Sequence, residues 1–349
     1  MNNPWIVTST PEEGGLSSRA LLDYLDAIEQ TGIEQHSVMV VKNGVLAANI
    51  HYAPHTQKTP HICFSMSKPF TSMAAGFAIA EGLLSLNDRV IDVLADEAPE
   101  NPDPFLQKVT LHHLLCMGSG LSQKSDILRH IFDTEEGSKE NWAKAVLACG
   151  CDAEPGSVFR YNSHGSYLIS CMVQKVAGMN IRDYLIPRLF EPLGIEPPRW
   201  DMSPQGICCG GWGMYLPVED FARFGLCLLQ KGMWDGKQVI PEGWIELASR
   251  PHIATNNVPR HREWSEGYGY HLWPCTNGRF RGDGSEGQFC IISPKQNMIV
   301  AATACTENLT GEHDLFDEYL FNDERQTPAT KEEQQAYLER LKTLSVAKK

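Results

Sequence analysis

Ser65-Met66-Ser67-Lys68 places a hydroxyl three residues ahead of an amine. That spacing puts both side chains on one face of a helix. From Pro69 onward Phe70, Met73, Ala74 and Phe77 recur at helical intervals before Gly82. A proline is tolerated in a first turn because the N–H groups there lack helical partners. A serine hydroxyl is a weak nucleophile until a neighbour takes its proton, and a partly desolvated lysine amine can do this. The segment predicts Ser65 as a covalent nucleophile with Lys68 as its activating partner. The plain alternative is a solvated serine–lysine pair on a helix surface.

Two further segments carry chemistry. Phe159-Arg160-Tyr161-Asn162-Ser163-His164 follows the turn signal Glu154-Pro155-Gly156. A tyrosine beside a lysine can share its proton, serving as general base for the serine and general acid for the leaving group. Tyr161 also fits as packing at the start of a helix over Tyr167–Val176. The third segment, Arg281 to Phe289, reads RGDGSEGQF and enters a strand at Cys290-Ile291-Ile292. A glycine-rich strand edge lets backbone approach a substrate, and its N–H groups, with that of Ser65, can hold an oxyanion. A hairpin turn explains the same glycines and acids.

Elements must bring these segments together. A helix is expected over residues 17–30, with Leu21, Leu22, Leu25 and Ile28 on one face. A hairpin is expected at Val38–Val41, Asn43-Gly44 and Val45–Tyr52, since Asn-Gly suits the two-residue turn. Residues 86–200 read as helix and loop. Strand patterns return at Gly267–Leu272, Gly278–Arg281, Gln288–Ile292 and Ile299–Cys305. Thr330 and Glu333 form a capping box for a last helix with Tyr337, Leu338, Leu341 and Leu344 as its apolar stripe. The expected fold is α/β of the α+β type: an antiparallel sheet built from both chain ends, flanked by helices, with a mostly helical lobe inserted. Residues 1–85 and 264–349 would form the α/β lobe and 86–263 the helical one.

The bulk properties narrow the function. The 349 residues are 42% hydrophobic and 21% charged, with a net charge of −13, which argues against nucleic acid and anionic membrane surfaces as partners. No run approaches about 18 apolar residues, and the first residues do not read as a signal peptide. The 11 cysteines lack a repeated spacing and read as buried thiols, which with the rest points to the cytoplasm. No G-x-S-x-G or H-E-x-x-H occurs, and adjacent His112-His113 would diverge on a helix. Neither a metal nor an organic cofactor is expected.

Several stretches together resemble the serine β-lactamase and penicillin-binding-protein superfamily, in its class C-like branch of esterases and 6-aminohexanoate-oligomer hydrolases. Besides Ser65-Met66-Ser67-Lys68 they are Leu111–Leu121, Tyr161-Asn162-Ser163, Phe190–Ile195 (FEPLGI), Gly210–Met214, Glu219–Gly225 and Pro294–Ala301, in unbroken order over roughly residues 15–310. The resemblance implies Ser65 as the acylated nucleophile, Lys68 as its activator and Tyr161 as the second acid/base. It also implies oxyanion or substrate contacts from Ser285, Ser163, Gly284 and Gly287, with His164 and Gln288 as lesser candidates. Ser163 stands where the family has asparagine. The family's K-T-G-S aligns with Gly282-Asp283-Gly284-Ser285, so the lysine that helps hold a β-lactam carboxylate is absent. Asp283 and Glu286 are acidic, and strand alternation turns Arg281 to the other face. The expected activity is hydrolysis of a small-molecule ester or amide through an acyl-enzyme. The alternatives are a β-lactamase or D,D-peptidase, and an inactive binding module of the same fold.

Overall fold

The computed structural model describes residues 6–123, 139–256 and 261–346. The chain divides into two compact units. One is drawn from residues 1–63, 215–230 and 283–349, the other from 64–214 and 231–282.

The first unit is built on strands in the order Val7–Thr8, Val45–His51, Glu34–Lys42, Met298–Cys305 and Gln288–Ser293. Neighbours are antiparallel except Val7–Thr8, which runs parallel to Val45–His51. The sheet joins both chain ends as expected. The hairpin turns at Asn43 (φ 53°) and Gly44 (φ 80°), left-handed at both positions as a strand-matched two-residue turn requires. Met298–Cys305 then pairs along Glu34–Lys42 from Met298↔Lys42 to Cys305↔Glu34. Val38-Met39-Val40-Val41 and Ile299-Val300-Ala301-Ala302 are buried throughout; continuous apolar runs suit strands covered on both faces.

The Val218–Leu229 helix packs on Glu34–Lys42, Gln288–Ser293 and Met298–Cys305. Its apolar side draws this segment into the sheet unit, while residues 64–85 join the helical one, so the units cut the chain elsewhere than at 85 and 264. Ser18–Thr31 buries Leu21, Tyr24, Leu25 and Ile28 and ends at left-handed Gly32. It packs against Lys331–Leu344, whose Thr330–Glu333 capping box is formed. Tyr337 of that helix is buried, but Leu338 is 49% exposed. The two are adjacent and cannot share one narrow face.

In the second unit Ser163–Ala177 is the central helix. Residues 165–173 are buried without interruption, and Lys68–Ala80, Leu111–Leu115, Trp142–Ala148 and Ile181–Leu185 pack against it or one another. A helix apolar on all sides belongs inside a bundle. Gly267–Leu272 does not form the expected strand. Gly267 (φ 88°) and His271 (φ 58°) are left-handed, which interrupts extended backbone, and among the described residues only the bridge Ile253↔Tyr268 forms. Pairing begins at Trp273–Pro274 against Phe280–Gly284. Nine of the eleven cysteines are buried. Among the described residues no helix is long and apolar enough to cross a membrane.

Burial pushes the His51 and His112 imidazoles from 6.5 down to about 4 and His271 to about 3. Between about pH 6.5 and 4 the unfolded chain therefore binds protons that the folded chain refuses, and stability falls as pH drops through this window. The urea midpoint is expected to be lower at pH 5 than at pH 7. An unchanged midpoint would mean that these rings charge freely in the folded chain.

Candidate active site

A 3₁₀ turn, Phe64–Ser67, leads into the Lys68–Ala80 helix. Phe64 has φ 46°, a left-handed conformation costly for a bulky side chain, so strain sits one residue before Ser65. Ser67 Oγ donates to Phe64 O (2.7 Å) and accepts from Met214 N (3.3 Å), and its side chain is buried. Ser67 is thereby spent on holding the turn, while Ser65 keeps its hydroxyl toward the lysine.

Lys68 is 1% exposed. Its Nζ lies 3.0 Å from Ser65 Oγ, 3.0 Å from Ser163 Oγ and 2.8 Å from Gly211 O. In a 3₁₀-to-α junction residues i and i+3 nearly eclipse, which brings Ser65 and Lys68 together as the spacing predicts. Ser163 arrives by a cap. Asn162 Oδ1 accepts from the His164 and Gly165 N–H groups and starts the central helix, leaving Ser163 as its first residue. Ser163 thus bonds Lys68 from the position where asparagine was expected. Gly211 reaches Lys68 because it lacks a Cβ, which would lie 2.9 Å from Ser163 O. Thr71 Oγ1 donates to Gly210 O at 2.7 Å and ties the same loop to the lysine helix.

Tyr161 presents its ring to the amine, with Lys68 Nζ 4.6 Å from the ring centroid. A cation over an aromatic face is attracted by the ring quadrupole. Trp273 stacks on Tyr161 at 5.9 Å and Tyr268 meets it edge-on at 6.0 Å. His164 lies edge-on to Trp212. Burial, with a smaller contribution from the Lys68 charge, lowers His164 to about 4, so it is neutral at pH 7.

His271 was not foreseen. Its Nδ1 donates to Leu115 O at 2.9 Å, and its backbone N–H donates to the same oxygen. Nε2 therefore carries a lone pair, is buried, and has no hydrogen-bond partner among the described residues. Burial first, then the Lys68 charge, holds this ring neutral. No motif in the sequence marks it, because its place depends on left-handed backbone at 271 and on the distant Leu115 carbonyl.

The remaining expected residues belong to the other unit. Ser285, Glu286 and Gly287 form the turn between Phe280–Gly284 and Gln288–Ser293, with Glu286 and Gly287 left-handed. Ser285 is exposed and Gly284 buried. Gln288 donates to Glu286 O and Ala304 O, so its amide braces the turn. Gly287 leaves room for the Glu312 carboxyl, which burial holds well above the usual carboxylate range.

Gly282 and Arg281 explain the missing cation. A Cβ at 282 would lie 2.6 Å from Met66 Sδ and 2.7 Å from Pro69 Cγ. Arg281 is buried, lies 4.2 Å over the Trp264 ring and donates to Glu263 O. Gly282→Ala is expected to cost about 1–3 kcal/mol in urea unfolding, the usual range for overpacking. No loss would show that the turn yields freely.

A family model described as Beta-lactamase matches residues 23–319. The 6-aminohexanoate-dimer hydrolase of Paenarthrobacter ureafaciens is 21% identical over 312 residues, spanning 84% of this chain and 78% of that protein. Penicillin-binding protein 4 of Amycolatopsis lactamdurans is 26% identical over 294 residues, spanning 73% and 75%. The solved structure of EstCE1, a hydrolase with promiscuous acyltransferase activity, matches with a TM-score of 0.68 at 20% identity, covering 86% of this chain and 96% of that one. The fold is thus β-lactamase/transpeptidase-like.

Proposed function

Because the chain belongs to the Beta-lactamase family, a family of serine hydrolases, we propose that it hydrolyses a small neutral or cationic ester or amide through an acyl-enzyme on Ser65. The observation that carries this reading is the 3.0 Å contact between the buried Lys68 amine and the Ser65 hydroxyl.

The geometry serves both protonation states of Lys68. As an ammonium it donates to Ser65, Ser163 and Gly211 O. As a neutral amine it has two N–H groups and one lone pair. The Gly211 carbonyl only accepts and takes one N–H, Ser163 takes the other, and the lone pair faces the Ser65 O–H. Ser65 can then lose its proton to Lys68 while its oxygen bonds to the substrate carbonyl carbon. The Ser65 N–H stabilises the oxyanion. Tyr161 gives its phenol proton to the leaving alcohol or amine as the C–O or C–N bond breaks and recovers one from the water that attacks the acyl carbon; Lys68 hands its proton back to the Ser65 oxygen as the acid leaves. The esterase and 6-aminohexanoate-dimer hydrolase relatives support a small ester or amide as substrate.

The penicillin-binding-protein relative favours a second reading, a β-lactamase or D,D-peptidase. Against it stand the glycine at 282, with no space for a side chain, and the buried Arg281. A substrate carboxylate leaving water needs a charged partner. Retention of an engaged serine and amine argues against an inactive binding module.

Ser65→Ala is expected to abolish turnover and labelling by a fluorophosphonate probe without unfolding the chain. Label found on Ser67 by mass spectrometry would refute the assignment. Lys68→Ala and Tyr161→Phe should each lower kcat by about 10²–10⁴, with losses that do not add in the double variant. Near-normal turnover in Tyr161→Phe would reduce that residue to packing.

Substrate preference is separately measurable. p-Nitrophenyl acetate and butyrate should exceed nitrocefin in kcat/KM on the same preparation. A nitrocefin value of about 10⁴ M⁻¹s⁻¹ or more, above both esters, would replace this reading with the β-lactamase one.

A further inference from the structure

Three histidines unused by the proposed reaction meet in the sheet-bearing unit. His36 lies on the Glu34–Lys42 strand, His61 opens the short strand His61–Ile62, and His55 sits between the two in sequence. One ring nitrogen of each lies within 4.8 Å of those of the other two. The surroundings dictate where the ring hydrogens sit. His61 Nδ1 faces Thr59 O at 2.9 Å, and a carbonyl only accepts, so Nδ1 carries the hydrogen and Nε2 a lone pair. His36 Nε2 faces Glu34 Oε1 at 3.3 Å, which likewise draws a hydrogen to Nε2 and, in the neutral ring, leaves the lone pair on Nδ1. His36 Nδ1 and His61 Nε2 are 2.9 Å apart. Two lone pairs at this distance repel unless positive charge lies between them. His55 adds a nitrogen: its Nδ1 is buried without a hydrogen-bond partner among the described residues, and its ring centroid is 3.8 Å from that of His36 and 5.2 Å from that of His61.

We propose that His36, His55 and His61 bind one divalent ion of the zinc class, with Thr59 O and Glu34 holding the ring tautomers from outside. Imidazole nitrogens select zinc, copper or nickel over magnesium or calcium. A backbone carbonyl or carboxylate on the far nitrogen is the usual support of a ligating histidine, fixing its orientation and raising its basicity. Three nitrogens leave a fourth tetrahedral position for water. Bonds of about 2.0–2.1 Å at a tetrahedral angle set the nitrogens roughly 3.3–3.4 Å apart, so His36 and His61 need separate by only a few tenths of an ångström. The His55 ring turns from stacking on His36 to point its nitrogen at the ion. The bound ion pins the His55 loop to the strand carrying His36.

The test is a zinc titration of the full chain, stripped with chelator, at pH 7.5, read by calorimetry and by metal content after dialysis. One zinc per chain is expected, with no comparable uptake of magnesium. His55→Gln and His61→Gln should each weaken binding at least about 10-fold, while His112→Gln, remote in sequence, leaves it unchanged. Glu34→Gln should weaken it less than either ligand change. Cobalt(II) added to the unaltered chain should give the visible bands of a four-coordinate nitrogen site, so the test does not depend on a variant folding. Absence of zinc uptake, or uptake unaffected by both ligand variants, overturns the proposal. So does ¹⁵N NMR of the metal-free chain placing the His36 hydrogen on Nδ1, since the pair would then be an ordinary hydrogen bond.

Discussion

A buried amine is the constraint around which the helical unit is arranged. Lys68 is almost wholly removed from water, and a charge or strong donor left there without partners costs several kcal/mol. Three separate segments supply them: the strained turn carrying Ser65, the capped helix start carrying Ser163, and the glycine loop carrying Gly211. Each local device makes sense as a way of delivering one oxygen to one nitrogen. The Asn162 cap sets the start of the central helix, the paired glycines let backbone come close, and Thr71 ties that loop to the lysine's own helix. The Tyr161 ring then covers the amine, itself held by Trp273 and Tyr268.

This arrangement gives the amine two uses for the same contacts. A carbonyl that can only accept, together with hydroxyls that can do either, tolerates loss of one proton without any heavy atom moving; only the Ser65 hydroxyl hydrogen turns. Preorganisation of that kind avoids reorganisation during the reaction. The neutral His271 ring near this charge has the same character: its tautomer is fixed by Leu115 O, so its dipole is fixed as well.

What could be read from the residues was what depends on short spacing. The Ser65–Lys68 contact follows from a three-residue step, the hairpin from Asn43-Gly44, and the last helix from the Thr330–Glu333 pair. All three are local and survive any tertiary context. Features that depend on distant neighbours were not legible. Ser163 could be placed near the lysine only by the resemblance, since nothing local says that Asn162 is spent as a cap. His271 carries no motif, and the left-handed backbone that turns it inward also broke the strand expected over Gly267–Leu272. Leu338 was placed in the apolar stripe of the last helix, yet helix geometry puts it about a hundred degrees from Tyr337. The histidine cluster escaped notice because separations of 19 and 6 residues match no ligand spacing. A substrate pocket would also take its shape from loops such as 123–140 and 252–266, of which residues 124–138 and 257–260 lie outside those described.

The crowding at Gly282 bears on how this chain can change over generations. Its missing side chain would press on Met66 and Pro69, which flank Ser67 and Lys68 within the turn that carries Ser65. Acquiring a cationic side chain at 282 therefore disturbs the segment that positions Ser65 before it can help any new substrate. A lineage moving toward anionic substrates from this sequence must alter residue 66 or 69 first, or together with 282. Altering 66 or 69 first passes through a form that still lacks a cation at 282. Glycine at 282 is in that sense an entrenched trait, preserved by the geometry of the turn.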